Sequence, residues 1–223
     1  MWVIKLGGSL LGTPELERWL DIVSRYGDGK VVIVPGGGIF ADAVREAQHQ
    51  SGISDKVAHH MAVLAMDQYG VLLAGLNRGL ATAASELEIA ERGWQHRGII
   101  WLPSKMVCAD DAIPASWEVT SDSLAAWLAA TLNAEHLILV KSVRPAYDRR
   151  NFSSLVADGM VDSYFADFTA GQGFSTRILG KGDYTFFEDG ISLEQTMQTG
   201  AAINDIADLE ANDERIYRAH LYR

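Results

Sequence analysis

The sequence predicts an α/β fold, a three-layer αβα sandwich around a mainly parallel sheet. Short apolar runs rich in Val, Ile and Leu alternate with segments of helical character, and the first two runs end in glycine-rich turns. Residues 2–6, 31–34, 98–102 and 136–141 form these runs. They are too short for helices and nearly continuous in apolarity, as expected of strands covered on both faces of a parallel sheet. Helices between such strands supply the crossovers and the outer layers.

Each element follows from local chemistry. The first strand, Val3-Ile4-Lys5-Leu6, runs into Gly7-Gly8-Ser9. Thr13-Pro14-Glu15 combines an N-cap, a first-turn proline and a first-turn acid, so a helix is expected from there to about Tyr26. The strand Val31-Val32-Ile33-Val34 ends in Pro35-Gly36-Gly37-Gly38. A helix should start near Gly38 and stop near Gly52, and a long one should run from about Ser54 to Leu76. Leu124, Trp127, Leu128 and Leu132 fall at helical spacing behind the cap residues Thr120-Ser121-Asp122. Beyond Val143 the pattern loosens: residues 174–179 and 184–187 read as strands, with a helix near 160–170. From Asn204 the chain is charged, and residues 204–223 are expected to form a short helix or a partly ordered tail. Residues 1–203 read as one domain, with no Pro/Ser/Gly-rich linker to divide it.

Composition narrows the function. The 223 residues are 48% hydrophobic and 22% charged, enough for one well-packed core. A net charge of −10 without any lysine- or arginine-rich run argues against nucleic acid as partner. A small phosphorylated molecule stays open, because a few cations can converge locally. The single cysteine, Cys108, excludes an internal disulfide and a CxxC metal site, and fits a reducing cytoplasm. Neither a signal peptide nor an apolar stretch of roughly eighteen residues is recognisable, so no membrane span is expected.

The two glycine turns carry the most chemical information. A strand ending in glycines exposes backbone N–H groups with no Cβ in the way, and a helix starting behind it adds unpaired donors. Two such turns suggest phosphate groups held from two sides. Lys5 lies within an apolar strand two residues before the first turn, where its ammonium can reach a phosphate; the alternative is a strand-edge lysine that reaches solvent. Lys141 ends the run Leu137-Ile138-Leu139-Val140, at the carboxyl end of its strand, where open α/β sheets bind ligands. Asp122 is either a plain cap or a carboxylate that orients Lys5 and Lys141 around a transferring phosphoryl group.

Other motifs are weaker. Gly36-x-Gly38-x-x-Ala41 matches the loose dinucleotide fingerprint, with Asp55 at nearly the expected spacing, so an NAD(P)-dependent oxidoreductase is an alternative. Gly180-Lys181 is followed by Gly182, which rules out a P-loop, and no GxSxG elbow occurs. His59 and His60 are adjacent on a helix and diverge by about 100°, so a shared metal ion is not expected. Trp101 and Trp117 flank the segment leading to Asp122, as pocket walls or as core.

Taken together, VIKLGGSL, VVIVPGGG and TSDSLAAWLA followed by LILVKSV resemble the amino-acid kinase superfamily over residues 1 to about 147. The resemblance implies an αβα sandwich, ATP with Mg²⁺ as donor, transfer to a carboxylate, carbamate or phosphate, and homodimers or larger homo-oligomers. It implies an acceptor-side lobe at about 1–140 and a nucleotide-side lobe at about 141–203. By position, Lys5 is similar to the lysine that stabilises the transferred group and Asp122 to the carboxylate that organises the catalytic lysines. Gly7, Gly8 and Ser9 resemble the loop at the ATP phosphates. Gly36, Gly37 and Gly38, with Thr120, resemble the acceptor side, and Tyr147 and Asp148 the start of the nucleotide-side loop.

Three departures accompany the resemblance. The family's T-D/K-V-D-G-hydrophobic-Y segment is replaced by Lys141-Ser142-Val143-Arg144-Pro145-Ala146-Tyr147, which loses the Asp-Gly. Gly159-Met160-Val161-Asp162-Ser163 lacks the lysine of a Gly-Met-x-x-Lys pattern, and the usual terminal Gly-Thr is Gly200-Ala201. Lys141 or Lys181 is then the substitute for the second cation, and a non-catalytic, anion-binding oligomer is the alternative from another class. The stretch Ala58-His59-His60-Met61 through Gly70 is most similar to the aspartokinase-like kinases of methanofuran synthesis, which implies an (aminomethylfuranyl)methyl phosphate acceptor.

Overall fold

The computed structural model describes residues 1–144, 152–191 and 201–203. The strands are β1 (Trp2–Leu6), β2 (Val31–Pro35), β3 (Leu80–Ala83), β4 (Gly98–Trp101), β5 (His136–Lys141), β6 (Ser175–Gly180) and β7 (Ala201–Ile203). They form one sheet in the order β3-β4-β2-β1-β5-β6-β7. All neighbours pair in parallel except β7, which runs antiparallel to β6. The helices are α1 (Pro14–Tyr26), α2 (Gly38–Ser51), α3 (Asp55–Leu76), α4 (Glu86–Trp94), α5 (Ser104–Val107), α6 (Ser121–Thr131), α7 (Phe152–Ala157) and α8 (Phe165–Thr169).

β1 sits between β2 and β5, and its alternation sorts the two cores. Ile4 and Leu6 join Ile33, Ile138 and Val140 against Trp19 and Leu20 of α1 and Tyr69 and Leu73 of α3. Val3 joins Val32, Val34, Leu137 and Leu139 against Leu124, Ala125 and Leu128 of α6. Lys5 follows the parity of Val3 and lies in register with Val34 and Leu139, so it enters the layer under α6. That placement requires a buried anion.

The expected caps are present. The Thr13 hydroxyl accepts from Leu16 N–H, the Ser54 hydroxyl accepts from Val57 N–H, and α2 stops at Gly52 with φ of 68°. One expected strand is corrected: residues 184–187 belong to a 3-10 turn, Lys181–Phe187. There the Asp183 carboxylate accepts from Gly180 N–H at 2.8 Å, a local bond that bends the chain out of extended form. Elements not anticipated from sequence are β3, α4, α5, α7 and β7. β3 reads Leu-Ala-Thr-Ala at the sheet edge, with little apolar signal. α4 did carry a signal, Ser85-x-x-Glu88: the serine accepts from Glu88 N–H and the glutamate reaches back to Ala84 N–H. The expectations for Tyr147, Asp148 and the 204–223 tail fall outside the described residues. Among those described, no helix is long and apolar enough to cross a membrane.

Candidate active site

The two glycine turns meet at the carboxyl ends of β1 and β2. Gly36 N–H donates to Leu6 O at 2.9 Å, which ties the end of one strand to the other. A Cβ on Gly8 would lie 2.2 Å from Gly38 Cα, and one on Gly36 would lie 2.6 Å from Gly8 N. The turns touch backbone to backbone, and no larger residue fits at either point. Gly38 also adopts φ of +53°, a region that favours glycine. The first N–H groups of α2, starting at Gly38, have no partner within the helix, and Gly38 N lies close to the first turn, 2.4 Å from where a Cβ on Gly8 would stand.

Lys5, Asp122 and Lys141 converge beside these turns. Asp122 Oδ1 lies 2.8 Å from Lys5 Nζ, and Oδ2 accepts from Lys141 Nζ at 2.5 Å. A Cβ on Gly7 would stand 3.4 Å from Lys5 Nζ, which places that ammonium against the first turn. Lys5 and Asp122 are 6% and 4% exposed, so the strand-edge reading of Lys5 does not hold. Asp122 is the second residue of α6, and Thr120 caps the helix by accepting from Asp122 N–H. Burial pushes the Asp122 carboxyl up, but the Lys5 and Lys141 ammoniums outweigh it and hold the group below the usual carboxylate range. Burial and then the Lys5 charge lower Lys141 to about 8, opposed by Asp122. Two cations share one anion, which leaves a net positive charge at the turns.

Removing that anion is expected to cost folding stability. Asp122→Ala strands the buried Lys5 ammonium and the half-buried one of Lys141, a loss of about 3–5 kcal/mol by analogy with broken buried ion pairs. The urea unfolding midpoint checks it.

A cavity of about 520 Å³ reaches both glycine turns and the first residues of α6, though Lys5, Asp122 and Lys141 do not themselves line it. It is bounded by Gly8, Gly37 and Thr120 at one end and by His59, Arg45 and Trp117 further out. Trp117 donates its indole N–H to Gln48 Oε1 at 2.6 Å, and the Arg45 guanidinium lies 4.6 Å from its ring centre. The buried His59 ring places Nδ1 3.0 Å from Ser116 O, and burial lowers its pKa, so it is a neutral imidazole whose Nδ1 donates. His60 is exposed. Trp101 belongs to the core, stacked on Trp127 with ring centres 5.9 Å apart.

Lys181 stands apart from the trio. Its ammonium pairs with Glu15 Oε1 at 3.0 Å, on α1. Asp55 opens α3 and accepts from Gln48 Nε2, so it is not the acid at a strand end that a dinucleotide site requires. Sequence reading missed the roles of Arg45 and His59, which only the fold brings to the cavity, and of Asp162. The Asp162 carboxylate accepts from Thr120 N–H at 3.0 Å, Thr120 Oγ1 at 2.6 Å, Ser123 N–H at 3.1 Å and Ser123 Oγ. Its signal was the altered Gly159-Met160 segment, where a lysine was sought one residue later.

A three-layer fold around a mainly parallel sheet, with paired glycine turns and a lysine–aspartate–lysine cluster, is the arrangement of a phosphotransferase. The chain belongs to the amino acid kinase family, whose sequence profile matches residues 1–154. A relative from Methanocaldococcus jannaschii, [5-(aminomethyl)furan-3-yl]methyl phosphate kinase, is 33% identical over 151 residues, covering 67% of this chain and 69% of its own. Among solved structures, uridylate kinase from Archaeoglobus fulgidus superposes with a TM-score of 0.59 at 18% identity, over 79% of this chain and 89% of that one. Aspartate kinase from Synechocystis gives 0.58 at 17% identity, over 81% of this chain and 38% of the other. These two share the fold. The nicotinamide alternative is thereby set aside, and the donor that the family implies is ATP.

Proposed function

We propose that this chain transfers the γ-phosphoryl group of ATP to a phosphate monoester, with [5-(aminomethyl)furan-3-yl]methyl phosphate as acceptor and its diphosphate as product. The observation that carries the reading is Asp122 held between two ammoniums where the two glycine turns touch. The relative from Methanocaldococcus jannaschii, by its name, acts on that phosphate monoester.

In this reading the acceptor phosphate lies in the cavity, at the N–H groups of Gly37 and Gly38 and near Thr120, while Gly36, its own N–H bonded to Leu6 O, keeps the two turns in contact. The ATP phosphates lie against Gly7, Gly8 and Ser9, with Lys181 on the nucleotide side. An acceptor oxygen bonds to the γ-phosphorus as the bond to the β-phosphate oxygen breaks, and ADP leaves. Lys5 and Lys141 neutralise charge that spreads over the transferring oxygens, and Asp122 fixes both ammoniums. The acceptor is already an anion, so the protein need not supply a base. Residues 1–140 then form the acceptor side and 141–203 the nucleotide side.

A magnesium ion fits as a companion of the nucleotide. Among the described residues no group of three or more His, Cys, Asp or Glu side chains can hold a metal, and such ions commonly ride on substrate phosphates. Val57, Leu64 and Val71 are exposed at seven-residue spacing on α3, which supports a homo-oligomer built on that helix. A cytoplasmic location agrees with the single cysteine.

The reading is tested by ADP release with phosphate monoesters and with carboxylate acceptors. Turnover that depends on the furanyl phosphate is expected, and turnover only with a carboxylate would refute the acceptor. Lys141 also sets a pH dependence. Lowered to about 8, it loses its proton as pH rises through that value, so kcat/KM should fall above about pH 8. The limb in kcat should lie higher, because bound phosphates favour the ammonium. Initial rates across alkaline pH at low and saturating substrate read both limbs.

A further inference from the structure

We infer that Asp162 is a positioning residue for phosphoryl transfer: its carboxylate clamps the first turn of α6, so that Asp122 stays between Lys5 and Lys141. The inference rests on the proposed reading of that trio as the transfer centre.

The geometry is specific. Asp162 lies between α7 and α8, in a segment with no sequence proximity to α6. It accepts from both the backbone and the hydroxyl of Thr120, and from both the backbone and the hydroxyl of Ser123. Those residues bracket Asp122 on either side. Helix starts leave their first N–H groups unsatisfied, and here one external anion takes two of them. A single side-chain cap fixes a helix end, whereas a fourfold contact to residues 120 and 123 also fixes its rotation. Rotation of α6 decides whether the Asp122 oxygens reach both ammoniums. Ser123 is fully buried, so water cannot replace its partner without rearrangement.

The carboxylate also acts at a distance. Lys141 is faced by Lys5 from β1, by Asp122 from α6 and by Asp162 from the segment before α8. Across the strand pair, its register partner on β6 is Gly180, beyond which Arg144 and Asp183 form an ion pair at 3.5 Å. Of these groups, Asp122 and Asp162 favour the Lys141 ammonium and Lys5 opposes it. Asp162 thus holds the carboxylate that orients Lys141 and adds a negative charge that favours the Lys141 ammonium.

Three variants, Asp162→Asn, Asp162→Glu and Ser123→Ala, separate this role from mere stability. Asp162→Asn removes the charge, and Ser123→Ala removes one donor while leaving the charge. Asp162→Asn should lower kcat by about tenfold or more, leave both KM values within about twofold, and move the alkaline limb to lower pH. Asp162→Glu should return the limb toward its original position. Ser123→Ala should lower kcat severalfold with unchanged KM. Lys141 titration, followed by NMR of protein with labelled lysine side chains, should show the same downward shift in Asp162→Asn without any turnover being needed.

An unmoved Lys141 titration, or a kcat that falls only as far as the folded fraction does, would overturn the inference. Full kcat in Ser123→Ala would overturn it even if Asp162→Asn failed to fold. The kinase reading fails separately, if the wild-type protein shows no acceptor-dependent ADP release; the Lys141 titration then still decides the role of Asp162.

Discussion

Lys5→Met is expected to lower kcat by about two to three orders of magnitude, the usual cost of one preorganised donor at a developing charge. The change is nearly isosteric, and Asp122 keeps Lys141 as a partner at 2.5 Å, so the fold should survive. What changes is charge. Two ammoniums and one carboxylate give the trio a net positive charge; with methionine at position 5 it becomes neutral. The transferring phosphoryl group then loses the cation next to Gly7, where Lys5 Nζ now stands. KM for the acceptor should change much less than kcat, because in the proposed reading its anion is also held by backbone N–H groups. Steady-state kinetics with thermal melting read both quantities, and a variant with normal kcat would refute the role given to Lys5.

Gly8→Ala should have an effect of similar size by a different route. The added methyl would stand 2.2 Å from Gly38 Cα and 2.4 Å from Gly38 N, and neither backbone atom can yield alone. The turns must separate, which displaces both sets of N–H donors. A misplacement of about 1 Å can cost about a hundredfold in rate, and forced overpacking costs about 1–3 kcal/mol. Gly52→Ala is the control. Gly52 has φ of +68° with nothing within 4 Å of its added Cβ, so the variant should lose stability by about 1 kcal/mol yet keep its kcat. Equal losses of kcat in the two variants would contradict the claim that contact between the turns matters.

Much of the site was legible because its parts are local. Lys5 and Gly7-Gly8 lie on one strand and its turn, and strand alternation alone puts Lys5 in a buried layer. Lys141 and Asp122 were each readable at an element end, and Asp122 as the carboxylate shared by Lys5 and Lys141 was one of two readings; deciding for it depends on β1 and β5 being neighbours, which two short apolar runs cannot specify. Beyond the altered Gly159-Met160 segment nothing made the role of Asp162 legible, since its partners lie some forty positions earlier in sequence and its bonds exist only after α6 and the α7–α8 segment pack. The misread strand at 184–187 has a similar cause. Aromatic and β-branched residues favour a strand, but a single carboxylate–amide bond from Asp183 to Gly180 commits the chain to a 3-10 turn. Arg45 and His59 reach the cavity from α2 and α3, and their polar character alone did not distinguish them from other surface residues.

The most direct test is a ³¹P NMR spectrum of the protein incubated with ATP, Mg²⁺ and [5-(aminomethyl)furan-3-yl]methyl phosphate. Two new, mutually coupled resonances of a diphosphate monoester should grow in step with ADP, and should be nearly absent with Lys5→Met. ADP with inorganic phosphate alone, or the same diphosphate signals at an undiminished rate from Lys5→Met, would contradict transfer through the Lys5–Asp122–Lys141 cluster.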